Sequence, residues 1–162
     1  MDAYILSKAE IEAFNGVDKT HFLNPQAQRV NKSLGDLTGL KGFGFHLIEI
    51  PVGRESSELH KHYHEDECVY ILEGQAEARI GDEVHPVATG DFIGYRAGGE
   101  AHNLLNTGIV PLRCIVVGQR LAHDVADYPL LQKRLYRQQG LPWNLVDIAQ
   151  IDTPQAGKKT ES

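Results

Sequence analysis

The chain has 162 residues, enough for one ordinary domain and too few for two full-sized ones. At 41% hydrophobic and 23% charged it can bury a core without disulfides, and it does not have the composition of a disordered chain. Sixteen basic against 22 acidic residues give a formal charge of −6, which argues against a nucleic-acid surface.

The N-terminal run Met1-Asp2-Ala3-Tyr4-Ile5-Leu6-Ser7 lacks the basic start and apolar core of a secretion signal. No stretch approaches the ~18 apolar residues of a membrane span. The expectation is a cytoplasmic protein without a membrane partner. Ser7 followed by Glu10, ahead of Ile11 and Phe14, has the spacing of a helix-capping box and predicts a short helix. Asn24-Pro25-Gln26-Ala27-Gln28-Arg29 predicts a loop, and residues 1–41 as a whole read as an N-terminal arm.

From residue 42 to residue 118 the pattern changes to short alternating runs bounded by glycine or proline. Thirteen of the 16 glycines lie between Gly35 and Gly118, and six of the eight histidines between His46 and His102. Strands are predicted near residues 43–50, 57–63, 67–72, 76–80, 83–87, 91–95, 101–106 and 112–117. Glu73-Gly74-Gln75 and Ile80-Gly81-Asp82-Glu83 serve as hairpin turns. Eight short strands with no helical run between them predict an all-β antiparallel barrel or jelly roll. Cys68 and Cys114 each stand alone in an apolar run, as reduced core thiols do.

Residues 119–152 read differently. Leu130, Leu131, Leu135 and Tyr136 recur at helical spacing behind Pro129, and Gly140 ends the run, which predicts a short C-terminal helix. Residues 143–148 form one possible extra strand. The polar residues 153–162 are expected to be a disordered tail.

The chemistry is concentrated in His60-Lys61-His62-Tyr63-His64-Glu65-Asp66-Glu67. Residues two apart on a strand share a face, so His60 and His62 present two imidazoles together. Glu67 is five positions beyond His62, out of phase on a continuous strand. A turn through residues 64–66 resets that phase and can bring Glu67 alongside the pair. Two imidazoles and a carboxylate make a site for a borderline divalent metal. His102, on a strand whose His102, Leu104 and Asn106 share a face, could supply a third imidazole. His62 with His64 is an alternative pairing, but His64 falls in the turn and reads as solvated. His46 sits mid-strand as a core or pocket-wall histidine, with a catalytic acid or base as the other reading. His21, His85 and His123 read as surface residues. Tyr70, Tyr95 and Arg96 could line a pocket mouth, although strand aromatics more often serve packing. Of the acidic run, only Glu67 is assigned inward.

Here the sequence resembles the cupin superfamily of small β-barrels with a central metal site. The family's first motif, Gly-x5-His-x-His-x3-4-Glu-x6-Gly, is matched by His60, His62, Glu67 and Gly74, with six residues instead of five after Gly53. The second, Gly-x5-Pro-x-Gly-x2-His-x3-Asn, is matched by Gly90, Gly98, His102 and Asn106. Arg96 stands in place of the proline, and one extra residue precedes His102. The resemblance covers roughly residues 42–118. It implies a double-stranded β-helix, the jelly-roll cupin barrel, in which His60, His62, Glu67 and His102 ligate a metal and Asn106 is structural.

Such a site leaves two positions on a six-coordinate ion for water, dioxygen or a bidentate substrate. The implied cofactor is one divalent metal ion: Zn, Fe, Mn or Ni. The expected function is a metal-dependent enzyme of dioxygenase, isomerase or decarboxylase/lyase type acting on a small oxygen-rich metabolite. His46 and Tyr70 are the candidate catalytic residues. The alternative is a non-catalytic barrel that binds or senses a small molecule. A homodimer is expected, because the arm and the C-terminal leucines both need something to cover.

Overall fold

The computed structural model describes residues 3–157. It begins with helix α1 (Lys8–Ala13), capped as predicted by the reciprocal Ser7–Glu10 bonds. Then come β1 (Val17–His21), β2 (Asn24–Ser33), the one-turn α2 (Leu34–Leu37) and β3 (Phe43–Ile50). The barrel continues with β4 (Lys61–His62), β5 (Glu67–Glu73), β6 (Gln75–Ile80), β7 (Glu83–Ala88), β8 (Phe92–Tyr95), β9 (His102–Leu105) and β10 (Leu112–Gln119). The last strands are β11 (His123–Tyr128), β12 (Lys133–Gln138) and β13 (Asn144–Asp147).

One layer is a six-stranded sheet in the order β1-β2-β3-β10-β5-β8. The other is built from β13-β12-β11-β4 and β7-β6-β9, joined by an antiparallel bridge between His60 and His102. Every ladder is antiparallel, so alternate residues of each strand face inward. Ile48, Ile50, Val69, Ile71, Ile93, Tyr95, Leu112 and Cys114 of the first layer meet Ala76, Ala78 and Leu104 of the second. Large residues oppose alanines there, which lets the layers approach closely on that side of the barrel. This is the jelly roll that the glycine spacing predicted. Both cysteines are free thiols. Among the described residues, no helix is long and apolar enough to cross a membrane.

Three expectations are corrected. Residues 24–29 are not a loop but the first half of β2, and the arm widens the first sheet by two strands. Pro25 is tolerated at the strand's start, where a missing N–H matters least. The predicted strand over residues 57–63 shrinks to the pairing of residues 60–62.

The C-terminal helix is also absent. Pro129–Leu131 forms a single 3-10 turn, ended by Gln132 in the left-handed region at φ 52°. Residues 133–138 are β12, paired on both sides. Leu130 and Leu131 are exposed, whereas Leu135 is buried with Ala126 and Tyr128 in a second small core. Period-two burial against two neighbouring strands therefore overrides the coincidental helical spacing of the leucines. The extra strand expected over residues 143–148 is β13. Residues 153–157 are exposed coil, and the remainder of the expected disordered tail, 158–162, lies outside the described residues.

Candidate metal centre

Between the layers lies a cavity of about 680 Å³, and His60, His62, Glu67 and His102 all line it. The backbone explains the convergence. His60 and His102 exchange both main-chain hydrogen bonds, at 3.3 and 2.8 Å, so their side chains stand side by side. Their ring centroids are 4.9 Å apart. His62, two residues on, shares the face and lies 4.9 Å from His60. The chain then turns from one layer to the other through residues 63–66, and Glu67 opens β5 opposite Tyr95 and Gly118. His102 is sandwiched from below by the Tyr95 ring, stacked at 3.6 Å.

Each imidazole is held by its Nδ1. His60 Nδ1 is 2.8 Å from the Glu58 carbonyl oxygen, His102 Nδ1 is 3.2 Å from that of Glu100, and His62 Nδ1 is 2.5 Å from Asp124 Oδ2. These oxygens only accept, so each Nδ1 is the protonated donor, and in a neutral ring Nε2 carries the lone pair. Nε2 of His102 is buried and has no hydrogen-bond partner among the described residues. Histidines fixed through one nitrogen by oxygen acceptors, with the other left free, are the arrangement that metal ligands adopt.

Burial holds His60 well below its ordinary pKa, helped by the neighbouring His102 and His62, and takes His102 down to about 4. Both rings are therefore neutral near pH 7 and competent as donors. His62 differs: burial opposes its charge most strongly, but the bond and charge of Asp124 together with the charges of Glu67 and Glu65 outweigh it and raise its pKa. Burial also raises Glu67, against the pull of His62 and Arg29.

A second set of donors shares His62. Atoms of His62, Glu65 and Asp124 lie within 4.8 Å of one another. The two carboxylates there already have partners. Arg137 pairs with Glu65 and lies 3.8 Å from Asp124. The Leu121 amide donates to Glu65 at 2.7 Å, and the His64 amide to Asp124 at 3.1 Å. This set thus forms a hydrogen-bonded acidic shell behind His62. Glu65, expected outward, is buried because Arg137 and the Leu121 amide reach it across the layer.

His46 lines the same cavity, its Nδ1 3.3 Å from Asn31 Nδ2. Its ring lies over Gly44, where a Cβ would come within 2.5 Å of Nε2. Tyr70 does not reach the cavity. Its neighbours Val69 and Ile71 point inward, so Tyr70 faces outward and is 43% exposed, and its candidate catalytic role is withdrawn. Tyr95 is buried in the interior instead of standing at a mouth, and Arg96 is exposed. His64, His85 and His123 are exposed as expected. His21 is not a surface residue: it lines the cavity, stacked on Phe22 at 4.6 Å, and burial lowers its pKa to about 4. Asn106 is structural, tying its loop to Ile50 and Val110 at 2.8 and 3.0 Å.

Sequence reasoning missed Arg29, Asn31, Asp124 and Arg137, all outside the stretch that carries the motifs. A usable signal existed in Asp124-Val125-Ala126-Asp127-Tyr128, where small, acidic and aromatic residues alternate at strand spacing without turn residues.

The class of protein is thus a jelly-roll barrel with a possible metal site inside it. Residues 46–118 match the family model described as a cupin domain. The solved structure of a candidate sugar phosphate isomerase from Acidithiobacillus ferrooxidans is 48% identical, with a TM-score of 0.90 over 94% of this chain and 97% of that one. A cupin sugar phosphate isomerase from Silicibacter pomeroyi is 25% identical, with a TM-score of 0.76 over 86% of this chain and 90% of that one. An uncharacterised protein of Methanocaldococcus jannaschii is 39% identical over 66 residues, 41% of this chain. The match spans 51% of that protein, about half its length. The chain thus contains a cupin domain over residues 46–118.

Proposed function

We propose that the protein is a metal-dependent enzyme that isomerises a phosphorylated sugar, with His60, His62, Glu67 and His102 holding one divalent ion. The observation that carries the metal assignment is the trio of imidazoles whose Nδ1 atoms are all committed to oxygen acceptors. Glu67 completes the set with a half-buried carboxylate that lines the same cavity. The substrate class is supported by the likeness to the two sugar phosphate isomerases and by a cavity of about 680 Å³, large enough for a small sugar phosphate.

A bound divalent ion supplies electrostatic stabilisation of negative charge developing on a substrate oxygen. Moving the hydrogen between neighbouring carbons then needs a base, a role this reading assigns to His46, which lines the cavity. Burial, reinforced by Arg120, keeps His46 below its ordinary pKa, so it is neutral near pH 7 and able to accept a proton. The Asn31 amide holds the ring through Nδ1 and can present either a donor or an acceptor to it. The stacked Tyr95 and the apolar Ile48, Val69 and Val116 exclude water around the reacting carbons. The homodimer belongs to the same reading and is checked by light scattering.

The test is to load the protein separately with Zn, Fe(II), Mn or Ni and incubate it with a panel of aldose and ketose phosphates in deuterium oxide. Isomerised product, with or without deuterium at the carbon beside the carbonyl, is expected with at least one metal. Tight binding of one compound and no turnover with any metal would instead establish the sensory or binding barrel.

A further inference from the structure

We infer that Arg29 and Lys19 form an anion subsite that receives the phosphate group of the substrate, an inference that rests on the phosphorylated-sugar reading above. In the β1–β2 register, Lys19 stands directly opposite Arg29, so both side chains occupy one face, and both line the cavity. Like charges directly opposite on paired strands repel, and no carboxylate separates these two. Arg113, Arg120, Arg134 and Arg137 each pair with an Asp or Glu within 4.0 Å. Among the described residues neither Arg29 nor Lys19 does so. Arg29 instead donates to the main-chain oxygen of Ser56, which orients the guanidinium and leaves it without an ion-pair partner among the described residues.

Glu67, in the same cavity, acts on Arg29 through its charge without forming an ion pair with it, and it is drawn to His62 as well. A half-buried guanidinium without a counter-charge is costly unless a ligand supplies one. A phosphate does so with oxygens that suit the planar fork of arginine and the point charge of lysine. His21, two residues along β1 from Lys19, lines the same wall. Its Nδ1 accepts from the Leu23 amide at 3.2 Å, which places the proton of the neutral ring on Nε2 and adds a third, uncharged donor. This positive wall belongs to a chain of net charge −6, so it is a local feature and not a consequence of composition. Asp18 also lines the cavity, but by alternation its side chain leaves β1 on the face opposite that of Lys19. Phosphate at one end of the cavity and imidazoles at another would hold a sugar phosphate by both ends.

Calorimetric titration of the full-length protein with inorganic phosphate, glucose 6-phosphate and unphosphorylated glucose tests the subsite, with metal content measured on the same samples. Wild-type protein is expected to bind the phosphorylated probes more tightly than glucose. Lys19→Ala, an exposed edge-strand change that threatens no packing, and Arg29→Met should each weaken phosphate binding about tenfold or more while metal content stays unchanged. Arg29→Lys should recover part of the loss. Phosphate affinity that survives both substitutions, or wild-type protein that prefers glucose equally, overturns the subsite whether or not the samples hold metal. Protein that binds phosphate through Arg29 but takes up no metal supports the subsite and removes the metal reading.

Discussion

Asp124→Asn separates the metal site from the scaffold behind it. Asp124 is 3% exposed and binds His62 Nδ1 at 2.5 Å, the shortest of the three bonds that orient the imidazoles. Burial is the largest single influence and works against its charge, yet the bond and charge of His62, the His64 amide and Arg137 together outweigh it, and its pKa lies below the ordinary value. Asparagine preserves shape but removes the charge, and its amide can still turn an oxygen toward Nδ1. Arg137 keeps Glu65 as a partner, so no buried cation is stranded. The loss is then that of a charge-assisted hydrogen bond, about 1.5–3 kcal/mol of folding stability in the metal-free protein. For a chain of this size, that corresponds to a melting temperature lower by about 3–12 °C. Metal affinity should fall about 10–100-fold, or about 1.4–2.7 kcal/mol, as for other groups that orient a ligand histidine. Chelator competition gives the affinity, and thermal unfolding of the metal-free form gives the stability. A variant that melts earlier but binds metal as tightly as the wild type would refute the orienting role.

Other consequences follow from the same geometry. Glu67→Gln removes the one anionic donor and should lower metal occupancy, read by elemental analysis, while leaving the barrel's circular dichroism unchanged. Gly44→Ala places a Cβ within 2.5 Å of His46 Nε2 and must push the ring aside. Turnover should therefore drop with metal content intact, and unchanged kcat would remove His46 from the reaction. Asp127, buried and bound by Arg134 at 2.6 and 2.8 Å and by the Tyr63 hydroxyl at 2.7 Å, has its pKa lowered chiefly by Arg134. A depressed folded pKa gives stability that is complete above the ordinary carboxylate range and is lost as pH falls through the folded value. Asp127→Asn should accordingly destabilise at neutral pH, with the gap to wild type closing in acid; a gap that stays constant to low pH would contradict this. Ile71→Ala, at a fully buried position between the layers, should cost about 2–5 kcal/mol in denaturant unfolding.

The barrel was legible because its signals are local: glycine at the turns and alternation between them. Strand β3 follows the predicted limits, residues 43–50, and β5, β6, β8 and β10 fall within about two residues of theirs. The four motif residues could be read from spacing because the turn before Glu67 supplies the phase change that a straight strand lacks. What was hidden is what long-range pairing decides. Residues 24–29 carry Pro25 and a polar composition, yet become strand because β1 offers them an edge and β3 anchors the continuation of the strand at residues 30–33. Leu130, Leu131 and Leu135 fall at helical spacing, but β11 and β13 capture the segment and bury only Leu135. The supporting groups were missed for the same reason. Asp124 meets His62 across 62 positions of sequence, and Arg29 meets Ser56 across 27. Tyr70 was misjudged by a single-residue question of parity that only the register answers.

Anomalous X-ray diffraction at the absorption edge of the loaded metal, on crystals of the reconstituted protein, tests the central claim most directly. The account predicts one peak per chain, within coordination distance (about 2.0–2.2 Å) of Nε2 of His60, His62 and His102 and of a Glu67 carboxylate oxygen. A peak between Glu65 and Asp124, or no peak after reconstitution with any of the four metals, would contradict it.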